Sequence, residues 1–226
     1  MQVNAQYNVA APDSFPIRIA AFQRRRMFDA FLRASGIAEE DTVLDLGVTS
    51  DQSYSHSNYL ESWYPHKHQI TASGVDDAAF LEDTYPGLKF VLADGRNLPF
   101  TDKQFDHVHS SAVIEHVGSR ENQMAFLSEA WRVAKKSIFV TTPNRWFPIE
   151  FHTVMPFVHW LPQSTFRLIC RMRGLDFFSR EENLNLLSAF ELRRIAIAAG
   201  LENCEVRTAS LAGWPSNLLL SAYRSL

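Results

Sequence analysis

Five short apolar runs in this chain each end on a carboxylate or a tight turn, and helix-patterned stretches separate them. The first, about Thr42 to Leu46, closes with Asp45-Leu46-Gly47, and the second, about Gln69 to Val75, with Gly74-Val75-Asp76. The third, Lys89 to Leu92, leads into Ala93-Asp94-Gly95. The fourth, Phe105 to Ser110, leads into Ile114-Glu115-His116, and the fifth, Ser137 to Thr141, into Pro143-Asn144. Strands alternating with helices predict a doubly wound, mostly parallel sheet of the α/β class. Ligands of such sheets bind outside the carboxyl ends of the strands. Several such ends offering carboxylates or turns describe a site for a polar, nucleoside-like molecule, and hence an enzyme.

The stretches between the strands read as follows. Pro16 to Ala34 has helical periodicity, with Phe28, Phe31 and Leu32 on one face and Ser35-Gly36 as the stop. His56 to Tyr64 is a short helix ended by Pro65, and Asp77 to Thr84 is another. Ser119 caps a helix to Ala134 that buries Met124, Leu127 and Trp131. Ser188-Ala189-Phe190-Glu191 is a capping box opening a helix that stops at Gly200. Strands at Cys204 to Leu211 and Asn217 to Arg224 follow, joined by Gly213-Trp214-Pro215-Ser216. So short a link makes them antiparallel.

Residues 145–187 break the alternation and are rich in aromatics and proline. They are either a lid that shapes an acceptor pocket or a helical pair covering the sheet. Their length favours the lid, because an ordinary crossover is shorter. The chain therefore reads as a single domain over 1–226, with a loose arm and first helix over 1–36 and an insertion over 145–187.

With 22 basic and 25 acidic residues the net charge is −3, which provides no global field for nucleic acid or an anionic membrane. Cys170 and Cys204 belong to no metal-spaced pair and read as thiols of a reducing compartment. The eight histidines show no metal-ligand spacing, so no metal is expected. The first residues do not form a signal peptide, and no apolar run reaches membrane-spanning length. A cytoplasmic location is expected, and the oligomeric state stays open. Arg24-Arg25-Arg26 reads as a solvated helix face.

Asp94-Gly95, then Leu98-Pro99-Phe100, Phe105-Asp106, a strand and Glu115-His116 resemble, in order and spacing, the class I S-adenosylmethionine-dependent methyltransferases. Within these the chain is most similar to the methyltransferase type 11 branch that includes the ubiquinone and menaquinone biosynthesis enzymes. The resemblance covers roughly residues 40–145. It implies a Rossmann-like sheet closed by a C-terminal antiparallel hairpin, S-adenosyl-L-methionine as cofactor and a small-molecule methyl acceptor. By the same resemblance Asp45, Gly47 and Thr49 belong to the cofactor loop and Asp76 accepts hydrogen bonds from the ribose. Asp94 and Gly95 meet the adenine, and Ser110 and Ser111 offer backbone groups to the methionine end.

The family's loop reads Asp-x-Gly-x-Gly-x-Gly, whereas here Gly47 is followed by Val48-Thr49-Ser50-Asp51, which restricts close approach. His116 is the candidate general base, with His152 behind it. The Glu115-His116 pair equally suits a loop-ordering role. The expected function is methyl transfer to a small molecule. The alternative is a degenerate methyltransferase-fold protein that binds S-adenosylmethionine or another ligand without turnover. A nicotinamide-dependent oxidoreductase is disfavoured, since no G-x-G-x-x-G follows the first strand.

Overall fold

The computed structural model describes residues 15–52 and 57–225, with side chains from Arg18 onward. The expected N-terminal arm and the start of the expected 56–64 helix lie outside the described residues. The chain runs α1 (Phe15–Ser35), β1 (Val43–Leu46), α2 (Tyr59–Trp63), β2 (Ile70–Gly74), α3 (Phe80–Thr84), β3 (Lys89–Leu92) and β4 (Phe105–Ser111). It continues through α4 (Arg120–Val133), β5 (Ala134–Pro143), α5 (Gln163–Met172), α6 (Ala189–Ala198), β6 (Glu205–Leu211) and β7 (Trp214–Tyr223). The seven strands form one sheet in the order β3-β2-β1-β4-β5-β7-β6. The first five are parallel, and β7 runs antiparallel to both β5 and β6. This is the Rossmann-like sheet with a closing hairpin that the sequence led us to expect. Among the described residues no helix is long and apolar enough to cross a membrane.

Side-chain alternation along the strands splits the core into two layers. Val108, Ile138, Val140, Leu218 and Leu220 pack with Phe126, Leu127 and Trp131 of α4 and with Leu192 and Ile195 of α6. On the other face Val43, Ile70, Phe139 and Leu219 pack with Phe28 and Phe31 of α1, Tyr59 and Leu60 of α2 and Leu81 of α3. Met124 departs from expectation: it is exposed, and Phe126 takes the buried position. The helix expected from Asp77 begins only at Phe80, because the Asp77 carboxylate accepts the Ala79 N–H at 3.0 Å and holds a turn instead. The link between β6 and β7 is also shorter than expected. Ala212 and Gly213, both at positive φ, make the turn, and Trp214 already pairs with Leu211.

Two sequence motifs prove to be fasteners. Asp106 accepts both the N–H and the hydroxyl of Thr42 at 3.1 and 3.0 Å, tying the starts of β1 and β4. Leu98-Pro99-Phe100 is gripped by α4: Glu129 accepts the Leu98 N–H, and Arg132 donates to the carbonyls of Leu98 and Phe100. Both α4 and α6 start as expected, on Ser119 and on a complete Ser188–Glu191 capping box.

Candidate functional site at the carboxyl edge of the sheet

β1 ends beneath a sharp turn at Gly47. Its φ of +99° lies in the left-handed region, and a side chain there would run into Val113. The N–H groups of Gly47 and Val48 both donate to the Ser73 carbonyl, at 2.7 and 3.0 Å, which folds this loop over the end of β2. The approach is so close that a Cβ on Gly74 would sit 2.7 Å from the Val48 carbonyl oxygen. Beyond it the glycine-poor stretch is pinned rather than open. The Thr49 N–H donates to the Asn58 side chain and Asn58 donates back to the Thr49 carbonyl, both at 2.9 Å, while the Thr49 hydroxyl accepts the Asp51 N–H at 3.1 Å. Asn58 has no counterpart in the sequence reading, which had looked only for glycines and hydroxyls.

Asp76 follows β2 half-buried, and its carboxylate takes no hydrogen bond from a described residue; Asp77 does the turn-forming work beside it. Asp94 follows β3. Its two oxygens are gripped by Arg96 through Nε at 2.9 and 3.1 Å and Nη2 at 2.6 Å, a partner the sequence reading did not assign. The Arg96 guanidinium therefore holds Asp94 below the usual carboxylate range. Gly95 is buried, and a Cβ on it would lie 2.6 Å from the Phe126 ring.

Asp45 is placed differently. It shares a face of β1 with Val43 and lies next to His109 of β4, whose Nδ1 approaches its carboxylate at 2.7 Å. The other ring nitrogen of His109 meets the Tyr59 hydroxyl at 2.9 Å. Glu61, fully buried on α2, completes the group. Burial raises Asp45 to about 7, and burial together with the Asp45 charge raises Glu61 well above its ordinary range. Burial pushes His109 down to about 4. Tyr59 also interacts with Ser111, whose hydroxyl lies 3.0 Å from that of Thr141.

Arg24 is a correction to the solvated-face reading. Arg25 and Arg26 are exposed, but Arg24 turns inward beside Tyr59, and its Nη1 is buried without a hydrogen-bond partner among the described residues.

At the ends of β4 and β5 lies a second buried group. Glu115 and His116 sit in a single helical turn, Ile114–His116. The Glu115 carboxylate accepts the Thr142 hydroxyl at 2.8 Å through Oε2, while Oε1 is buried with no hydrogen-bond partner among the described residues. His116 Nδ1 donates to the Asn183 carbonyl at 2.6 Å, and its Nε2 lies 3.0 Å from Nε2 of His152. His152 Nδ1 in turn lies 2.7 Å from Glu150, which also accepts the N–H groups of His152 and Thr153. Burial, with the His152 charge second, pushes His116 down to about 3. For His152 the Glu150 carboxylate outweighs burial and raises the ring.

The 145–187 insertion supplies His152, Glu150 and the Asn183 carbonyl, and the Asn185 N–H clamps the Glu115 carbonyl at 2.7 Å. It carries its own apolar cluster of Met155, Phe166, Cys170, Phe178, Leu184 and Leu186. Inside it, Arg145, His159, Gln163, Arg167 and Asn185 line a small cleft.

Residues 57–140 match the family model described as a methyltransferase domain. No curated protein matches the chain. Among solved structures, magnesium protoporphyrin IX methyltransferase from Synechocystis PCC 6803, with bound SAH, is 16% identical over 93% of this chain and 86% of its own, with a TM-score of 0.58. Phosphoethanolamine N-methyltransferase 2 of Haemonchus contortus, in complex with S-adenosyl-L-methionine, is 12% identical over 89% of this chain and 53% of its own, with a TM-score of 0.60. A chain in the complex between the Haloferax volcanii Trm112 methyltransferase activator and a methyltransferase is 15% identical over 95% of this chain and 99% of its own, with a TM-score of 0.55. At these identities the likeness is one of fold.

Proposed function

We propose that this chain, whose residues 57–140 match a methyltransferase domain and whose fold is that of S-adenosylmethionine-dependent methyltransferases, transfers a methyl group from S-adenosylmethionine to a small molecule held beneath the 145–187 insertion. The observation that carries this reading is the convergence at one sheet edge. Gly47, Asp76, Asp94 and Ser111 follow or end the four neighbouring strands β1, β2, β3 and β4 there, and the Glu115–His116–His152 group stands at the ends of β4 and β5.

The residues fit the cofactor. Asp76 is the uncommitted carboxylate, and a carboxylate is an acceptor-only group suited to two ribose hydroxyls. Asp94 retains lone pairs beyond those Arg96 uses, and Gly95, whose missing side chain makes room for the Phe126 ring, has backbone groups to offer the adenine. Arg24, with its buried unpartnered Nη1, is suited to the carboxylate of the methionine end, a pairing in which Arg is strong. Thr49 also holds the loop through Asn58 and Asp51, and Asp45 is tied through His109 to Tyr59 of α2. Bound there, S-adenosylmethionine supplies a methyl group on a cationic sulfur, which keeps the electron pair when the carbon–sulfur bond breaks. The chain's part is to align the acceptor with that carbon and to exclude water. A base at about 3 gains little from a neutral acceptor, so we assign His116 to holding the acceptor side of the site and not to proton removal.

Asp76→Ala is expected to remove charge-assisted hydrogen bonds worth about 1.5–3 kcal/mol, and so to weaken S-adenosylmethionine roughly ten- to a hundredfold. Titration calorimetry with a folded variant reads this directly. Wild-type protein that binds neither S-adenosylmethionine nor its demethylated product would overturn the proposed function. Arg24→Met is expected to weaken the same binding about tenfold while leaving the unfolding midpoint in urea unchanged or raised, because an unpartnered buried donor is removed. Loss of stability with unchanged binding would assign Arg24 to the scaffold.

A further inference from the structure

We propose that Glu115, His116 and His152 form a site for one divalent transition-metal ion, zinc or a close analogue. Three ligand atoms converge: one each from Glu115, His116 and His152, all within 4.8 Å of one another. The two ring nitrogens are 3.0 Å apart, and His116 Nε2 is 3.9 Å from Glu115 Oε1. Donors bound to zinc at roughly 2.0–2.2 Å in a tetrahedron stand about 3.3 Å apart, so small side-chain rotations bring all three into place.

The surrounding hydrogen bonds aim these atoms. The Asn183 carbonyl can only accept, so the His116 proton is on Nδ1, and the neutral ring presents the lone pair of Nε2. Glu150 accepts from His152 Nδ1 and orients that ring in the same way. Thr142 occupies one oxygen of Glu115 and leaves the other, fully buried, without a hydrogen-bond partner among the described residues. A carboxylate or a backbone carbonyl behind each metal-bound imidazole is the usual means of fixing tautomer and orientation. Without a cation, two ring lone pairs and one carboxylate oxygen face one another, and a proton on His152 or on Glu115 has to relieve the contact. A dication would also balance the two buried carboxylates, Glu115 and Glu150.

Two nitrogen donors and one oxygen favour zinc, cobalt, nickel or iron over magnesium and calcium, which prefer oxygen shells. Three protein ligands leave at least one coordination position for water or substrate. Taken together with the proposed methyl transfer, that position suits an acceptor oxygen. A metal there would lower the pKa of a bound hydroxyl and release its proton, leaving the oxygen pair to attack the methyl carbon while sulfur kept the pair of the broken bond.

The test uses the untagged full chain, stripped with a chelator and free of S-adenosylmethionine, so its result does not depend on methyl transfer. Zinc titrated by calorimetry and cobalt followed by its visible absorption should each bind with one equivalent per chain. His152→Ala and Glu115→Gln, checked by circular dichroism, should each weaken zinc at least about 100-fold, and Glu150→Gln about 10- to 100-fold. The double variant His66→Ala, His68→Ala, at a partly exposed loop pair, should bind as the wild type does. Binding that survives in His152→Ala, or that is lost in the His66/His68 variant, would overturn the site. Should His152→Ala fail to fold, Glu115→Gln and Glu150→Gln decide on their own. A wild-type chain that takes up no stoichiometric zinc or cobalt would leave a proton in the cluster and remove the proposal.

Discussion

Replacing Glu150 with Ala should cost the folded chain about 3–5 kcal/mol, the range for breaking a buried charge pair by removing one partner. Glu150 is 2% exposed and accepts three donors: His152 Nδ1 at 2.7 Å and the N–H groups of His152 and Thr153 at 3.0 and 2.6 Å. Burial pushes its carboxyl up, but the His152 charge and these donors outweigh it and hold it at about 2. Alanine leaves all three donors unpaired and strips the buried His152 of the carboxylate that favours its charge. Urea unfolding of the purified variant measures the total, and hydrogen exchange should place the loosening in 145–187. Glu150→Gln keeps an acceptor of the same shape and should cost less, about 1–3 kcal/mol. A Glu150→Ala variant within 0.5 kcal/mol of wild type, as is usual for an exposed residue, would show that the insertion is held elsewhere.

The second large effect depends on pH. Asp45 rises from 3.8 unfolded to about 7 folded, so between those values the folded chain binds more protons than the unfolded one. Its contribution to stability is fully present below about 4 and is lost as pH rises through 7. His109 falls from 6.5 to about 4, so it contributes the opposite slope, gaining stability from about pH 4 to 6.5. In the wild type Glu61, raised like Asp45, adds to the falling slope, and His109 opposes both. Asp45→Asn removes the Asp45 share of the falling slope and keeps an acceptor for His109. Relative to wild type, the variant should therefore gain stability between pH 4 and 7, by up to about 4 kcal/mol for a shift of this size. Urea unfolding of both proteins at pH 4 and pH 8 measures this double difference. A difference independent of pH would show that folding does not load a proton onto Asp45.

Much of the fold was legible because its signals are local. Apolar runs of strand length, the caps at Ser119 and Ser188, and the stop at Gly36 each act within a few residues, and the structure has an element at every one of them. Where the reading slipped, a local competitor prevailed: Asp77 turned the chain before α3 could start, and Trp214 joined β7 because a two-residue turn at positive φ sufficed. At Thr49 the structure adds partners that the sequence does not announce, Asn58 and the Asp51 N–H, which fix the loop. The burial of Arg24 was invisible in a run of three arginines, since nothing in that run says which one faces Tyr59.

By itself the sequence determined the alternation of elements, the antiparallel close and the placement of Gly47, Asp76, Asp94, Glu115 and His116 at strand ends, because periodicity and turn chemistry are written in neighbouring residues. The tertiary structure alone decided which way each carboxylate faces and what meets it. Asp45 lies opposite His109 because β1 and β4 are parallel neighbours in that register. His152 reaches His116 across 36 residues because the insertion folds back over the end of β4, pinned by Asn185 on the Glu115 carbonyl. Contacts of that span depend on strand order and packing, which no local pattern encodes.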